Sequence, residues 1–207
     1  MKQTAEQVYE RYMMLAQGFI VTDEARYDKP YILDRMDYHR GIAIQQIWIK
    51  GNKAINPLWL QPYTPQYSED LQESNCYVLF ECPPFITLDD ASDGLISVFN
   101  GFNRIPRVRT QSELNTYSTN RLTKNITKCF WESEILEVYG DALMLENINY
   151  EGLWLQPTRL PTFNVSEDLY PACQMVLSEM EQMWLQDLKM AKPLDYVPDT
   201  QEAVAQQ

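Results

Sequence analysis

The chain has 207 residues, 45% hydrophobic and 22% charged, a balance that describes a core-forming globular protein and excludes a disordered or fibrous one. Seventeen basic against 29 acidic side chains give a net charge of −12, which argues against a dedicated nucleic-acid binder because phosphate backbone is repelled overall. No apolar run approaches the ~20 residues that span a bilayer, and the opening MKQTAEQVYERYMM carries acids and no apolar stretch, so no signal peptide is expected.

Thr4 and Gln7 have capping-box spacing, and Val8, Tyr12, Leu15 and Phe19 follow at helical steps, which predicts a helix over about 5–18. Asp28-Lys29-Pro30 opens a second helix with Pro30 near its first turn. Ile32, Met36, Ala43 and Ile47 form its apolar side, widened by Ile44 and Trp48, and Gly51-Asn52 stops it. Residues 55–75 carry three prolines and several large aromatics, so they read as an extended surface connection. Trp59, Tyr63 and Tyr67 in it need a surface to pack on, in their own domain or on a partner. Cys76–Cys82 reads as a strand ended by Pro83-Pro84, and Leu95–Phe99 as another after a turn at Asp89–Gly94. Ile135–Tyr139, Gly140-Asp141 and Ala142–Glu146 read as a hairpin with a type II′ turn, and a turn at Asn149–Gly152 leads into Leu153–Leu155. Residues 104–128 are poor in large apolar groups and read as a long functional loop or arm. A last helix is expected at about 171–190, with Pro171 in its first turn and a stripe of Cys173, Val176, Leu177, Met180, Met183, Trp184 and Leu188.

Charge is unevenly placed. Residues 54–103 hold seven acids and no Lys or Arg, whereas 104–128 hold Arg104, Arg107, Arg109, Arg121, Lys124 and Lys128 against Glu113 alone. Taken by itself such a run is a solvated loop; set between two acidic blocks, it also suits an acidic face on a neighbouring copy. The four cysteines have no C-x-x-C spacing and His39 is the sole histidine, so neither a zinc site nor a disulfide framework is expected, and the thiols read as reduced and mostly buried. His39, mid-helix, reads as a surface or interface residue rather than a catalyst. The Asp89–Gly94 run fails as a calcium loop, because Ala91 and Asn100 stand where an EF-hand needs an oxygen ligand and a carboxylate. No G-x-S-x-G, P-loop or G-x-G-x-x-G occurs. The tetrapeptide WLQP at Trp59–Pro62 and Trp154–Pro157 has unlike flanks and reads as coincidence. Thirteen Tyr, five Trp and nine Met favour protein contacts over catalysis.

The expected class is α+β: an N-terminal helical part with its Pro/aromatic extension (1–75), a β-rich hairpin or meander region with the basic insert (76–160), a C-terminal helix packing back on the N-terminal helices (161–195) and a disordered tail (196–207). No enzyme, metal or cofactor is expected.

Two segments carry a family resemblance. YILDRMDYHRGIAIQQIWIKGNKAINPLWLQPYTPQYSED (31–70) and LQPTRLPTFNVSEDLYPACQMVLSEMEQMWLQDL (155–188) resemble virion tail-barrel proteins of crAss-like bacteriophages, in particular their ring or head-to-tail connector proteins. The resemblance implies a non-enzymatic ring, of twelve copies, beneath the portal in a short tail, assembled in the host bacterial cytoplasm. Its partners would be its own copies, the portal protein, other tail rings, and DNA passing through the lumen without specific binding. Arg104, Arg107, Arg109, Arg121, Lys124, Lys128, Trp59, Tyr63 and Tyr67 are the interface candidates. A β-sandwich module binding carbohydrate or a receptor on the virion is the alternative, with the aromatics as an exposed platform. An enzyme using a carboxylate pair such as Glu132 with Glu134, or Asp89 with Asp93, ranks last.

Overall fold

A computed structural model describes residues 2–19, 27–51, 53–63, 77–88, 94–101, 103–122, 125–132, 135–140 and 148–190. Helix α1 spans Ala5–Phe19. Its capping box closes as the spacing predicts: the Thr4 N–H donates to Gln7 Oε1 (3.1 Å) and the Gln7 N–H to Thr4 Oγ1 (3.3 Å). Helix α2 spans Lys29–Lys50 with Asp28 as N-cap and Pro30 in the first turn, and ends where the Gly51 N–H donates to Ile47 O at 2.8 Å. Helix α4, Gln174–Met190, lies against both, so the ends of the chain form one helical layer. Ala5, Val8, Tyr12, Ile32, Met36, Ile44, Val176, Met180 and Trp184 fill the seam. Helix α4 starts three residues later than its proline suggests, because the Pro171 carbonyl turns away to accept a hydrogen bond from α2.

The strands make two four-stranded sheets. The first contains β1 (Gln61–Tyr63), β8 (Ile148–Gly152), β3 (Leu95–Asn100) and β4 (Asn103–Ile105) in the order β1-β8-β3-β4, all antiparallel. The second contains β2 (Tyr77–Glu81), β7 (Ile135–Tyr139), β6 (Lys128–Glu132) and β5 (Arg107–Val108) in the order β2-β7-β6-β5, antiparallel except for β5 beside β6. Alternation of buried and half-buried residues along β7 and β8 puts Leu136, Val138, Ile148 and Tyr150 inward. They join the helical seam in a single apolar core, and the class is α+β.

Three expectations change. Strand β7 forms, but its two edges are taken by β2 and β6, so its hairpin partner is β6, with Glu132 opposite Ile135; residues 142–146 lie outside the described residues. Residues 149–152 are not a turn but part of the internal strand β8, because Tyr150 and Gly152 face inward between β1 and β3. The basic insert is not a bare arm. It contributes β4, β5 and helix α3 (Gln111–Thr119), and it closes a small second cluster of Val108, Leu114 and Phe130. The Asp89–Asp93 part of the expected turn and residues 191–207 lie outside the described residues.

Gly94 permits the close approach between sheet and connection. The segment 84–86 runs beside 153–155, held by Ile86 N to Leu153 O (2.7 Å) and Leu155 N to Pro84 O (2.8 Å). A Cβ on Gly94 would stand 2.8 Å from the Ile86 carbonyl and 2.9 Å from that of Leu153, both rigid backbone. Gly94→Ala should therefore destabilise by about 1–3 kcal/mol in urea denaturation, whereas Gly18→Ala, with open space around it, should not destabilise.

Candidate assembly surface and the buried polar hub

Three of the four buried polar or charged residues among the described residues sit close together on α2. Asp37, His39 and Arg40 are all buried. Arg40 lies wholly inside and its fork reaches three carbonyls: Nε donates to Pro171 O (2.7 Å), Nη1 to Trp154 O (2.7 Å) and Nη2 to Trp59 O (2.9 Å). The two WLQP tetrapeptides thus converge on one guanidinium. They also touch directly, since the Trp154 indole N–H donates to Gln61 O at 3.0 Å. A planar group with five donors suits three carbonyls arriving from separate segments.

Asp37 bonds residues next in the chain or close to those that Arg40 holds. Its Oδ2 accepts from Thr158 Oγ1 (2.6 Å) and Thr158 N (3.2 Å), and its Oδ1 from the Tyr170 hydroxyl (2.9 Å). Burial outweighs those bonds and the nearby Arg40 charge, and lifts its pKa to about 6. His39 is a core residue rather than the expected surface one. Its Nδ1 lies 3.2 Å from the Tyr12 hydroxyl of α1 and its Nε2 3.1 Å from Asp187 Oδ2 of α4, while the Tyr12 hydroxyl also donates to Met180 O. Burial lowers its pKa, opposed by Asp187. These groups therefore clamp α1, α2, α4 and both tryptophan connections together.

The predicted interface residues divide. Arg104 on β4, Arg109 beyond β5 and Arg121 beyond α3 are exposed. The chain crosses from one sheet edge to the other through Pro106 alone, so Arg104 and Arg109 flank that crossing, and Arg121 follows the C-terminal end of α3. Arg107 is half-buried: Nη1 donates to Leu95 O (2.9 Å) and its guanidinium lies 5.9 Å from the Trp131 ring centre. Arg104 Nη2 donates to Ile96 O (3.1 Å), so the two arginines stitch the irregularity where β3 shifts register between Leu95 and Ser97. Lys128 is buried at the start of β6. Trp59 is buried, and its indole N–H donates to Cys173 Sγ (3.3 Å). Tyr63 is half-buried with its ring 5.3 Å from Tyr150 and 5.4 Å from Trp154. Trp59 and Tyr63 thus pack in their own domain, and Lys124 and Tyr67 lie outside the described residues.

Cys82 and Cys129 are buried free thiols, pushed by burial up to about 11 and about 12, and Cys173 is free and half-buried. Among the described residues no cluster of three His, Cys, Asp or Glu side chains could hold a metal ion, and no helix is long and apolar enough to cross a membrane. The sequence matches no protein-family model, and no curated protein matches it.

Proposed function

We propose that this chain is a structural virion protein that repeats one head-to-tail contact to form a ring of a short phage tail barrel or connector, beneath the portal and around the DNA path. The observation that carries this reading is an exposed basic stretch: Arg104, Arg109 and Arg121 are all exposed along the segment that runs from β4 through β5 and α3, on a chain whose net charge is −12. A ring needs two unlike complementary faces on each subunit, and a basic stretch on an acidic body supplies one of them. The resemblance of 31–70 and 155–188 to crAss-like tail-barrel proteins supports the same reading. So does the use of Arg40 to bind backbone carbonyls from both segments and their border, which is scaffold work rather than chemistry. The partners are its own copies, the portal and neighbouring tail rings. Acidic groups facing the lumen would lower its phosphate affinity and let DNA slide. The carbohydrate-platform alternative loses support, since Trp59 and Tyr63 turn inward.

Native mass spectrometry of the purified chain, at rising concentration and salt, tests this. A closed oligomer that weakens with salt is expected. Arg109→Glu with Arg121→Glu should shift it to monomer, with unchanged thermal unfolding; Arg104 and Arg107 are left alone because both donate to carbonyls of β3. A wild-type chain that stays monomeric at all concentrations, or a ring indifferent to both substitutions, overturns the reading.

A further inference from the structure

Helix α2 is apolar on two sides. Ile32, Met36, Ala43 and Ile44 point into the core. On the opposite side, at about 100° per residue, run Tyr31, Arg35, Tyr38, Ile42, Gln45 and Ile49. Their steps alternate between four and three residues, the spacing that keeps a seam on one face of a helix. The seam runs the length of α2, about 33 Å at 1.5 Å per residue. Tyr31, Tyr38 and Ile49 are 39%, 55% and 67% exposed, and the other three are half-buried. At one edge the Gln45 amide donates to Thr87 O at 2.6 Å. A surface helix ordinarily shows water a charged face, whereas this face carries one charge, Arg35.

That charge is already accommodated. The Arg35 guanidinium lies 5.5 Å from the Tyr31 ring centre and 5.9 Å from that of Tyr38, and its Nε donates to the Tyr31 hydroxyl at 3.2 Å. Asp187 of α4 stands 3.8 Å from its Nη1. The Tyr27 ring stacks on Tyr31 at 5.4 Å and continues the ladder. Covering the seam therefore does not strand an unpaired cation.

The seam also matches itself when reversed. Turned about its midpoint at Arg40, position 31 falls on 49, 35 on 45 and 38 on 42. Tyr31 then meets Ile49 of a second copy, Tyr38 meets its Ile42, and Arg35 meets the neutral amide of its Gln45. Each layer joins the two alternating seam positions, as antiparallel helix pairs require. A parallel pairing would instead set Arg35 on Arg35 and Lys50 on Lys50, like charge on like charge. Antiparallel helices also oppose their dipoles.

We propose that α2 of a second copy lies antiparallel along this seam, each Tyr38 packed on the Ile42 of the other. The contact is isologous, so it joins two copies and stops. It is separate from the head-to-tail contact above and does not rest on it. Two apolar layers on either side of an arginine make a small interface, for which dissociation at about 10–100 µM is expected.

Sedimentation equilibrium up to about 500 µM reads it, on the wild-type chain and on the Arg109/Arg121 reversal, where only the two-fold contact is left. Tyr38→Glu and Ile42→Arg should each weaken pairing about tenfold or more, with unchanged thermal unfolding. Mixed in equal amounts, the two variants should pair 1:1, because the introduced acid and base then face each other across the seam. Should Ile42→Arg lower the melting temperature, Tyr31→Glu and Ile49→Arg make the same comparison in the outer layer. Pairing indifferent to these substitutions overturns the contact, as do variants that fail to pair when mixed. Pairing that appears only after residues 191–207 are removed would give the seam to that segment and overturns it too. A wild-type chain that forms the α2 pair but no salt-sensitive ring removes the ring reading and leaves this one standing.

Discussion

Arg40→Met is expected to cost about 3–5 kcal/mol of folding stability, seen as a lower urea midpoint with an unchanged slope. The reasoning starts from the carbonyls rather than from the arginine. Pro171, Trp154 and Trp59 each give their oxygen to one nitrogen of this buried fork. Methionine fills part of the volume and offers no N–H, and a buried acceptor left unpaired costs about 1–3 kcal/mol. Relief from burying the guanidinium works the other way, since desolvating a charge is itself costly. The three acceptors outweigh it because all three lose their donor together in a buried site. Against a total stability of about 5–15 kcal/mol, that loss is between about a fifth and all of what holds the fold. Arg40→Lys should recover less than half of the loss, because an ammonium lacks the planar fork. A methionine variant within about 1 kcal/mol of wild type would show that the hub is energetically neutral.

The same hub explains which parts of the molecule were legible in the sequence. Helix stripes were, because apolar spacing and helix packing obey one geometry. Cap chemistry was too, as the reciprocal bonds of Thr4 and Gln7 show; Asp28 takes the N-cap position of α2 without a side-chain cap hydrogen bond. The buried charges were missed although the pattern held them: between Met36 and Ala43 the apolar stripe of α2 skips a turn, and His39 and Arg40 are the residues three and four positions on from Met36. A polar residue on a core stripe is a buried polar residue with partners to be found. Helix α3 had a signal as well. Thr110 and Glu113 carry capping-box spacing, and the Glu113 N–H indeed donates to Thr110 Oγ1 at 3.1 Å. Net positive charge over 104–128 masked it. Strand pairing was not legible. Ile135–Tyr139 has β character wherever it pairs, and its partners β2 and β6 are set by which edges the core leaves open, a tertiary fact. The interface candidates split for a related reason: charge counts place a residue in a basic run, but only packing tells that Lys128 is buried and Arg121 is free to meet a neighbour.

Asp37 and His39, two positions apart, should give opposite pH responses. The folded-state pKa of Asp37 is raised, from 3.8 to about 6, so folding takes up a proton. Its contribution to stability is fully present below pH 3.8 and is lost as pH rises through about 6. The difference is about two pKa units, or about 3 kcal/mol. His39 has its folded pKa lowered below 6.5 by burial, with Asp187 of α4 pulling the other way and Arg35 of its own helix adding to the fall. Tyr12 of α1 faces its other nitrogen. Its contribution is therefore present above pH 6.5 and is lost as pH falls through the folded value. Chemical denaturation at a series of pH values separates the two. Relative to wild type, Asp37→Asn should lose ground by up to about 3 kcal/mol on going from pH 7 to pH 4, having no proton to take up. Relative to wild type, His39→Gln should gain over the same range, because it no longer buries a group that acid charges. The two difference curves should cross the wild-type baseline slope in opposite directions. Parallel curves for both variants would mean that neither group titrates differently in the folded chain.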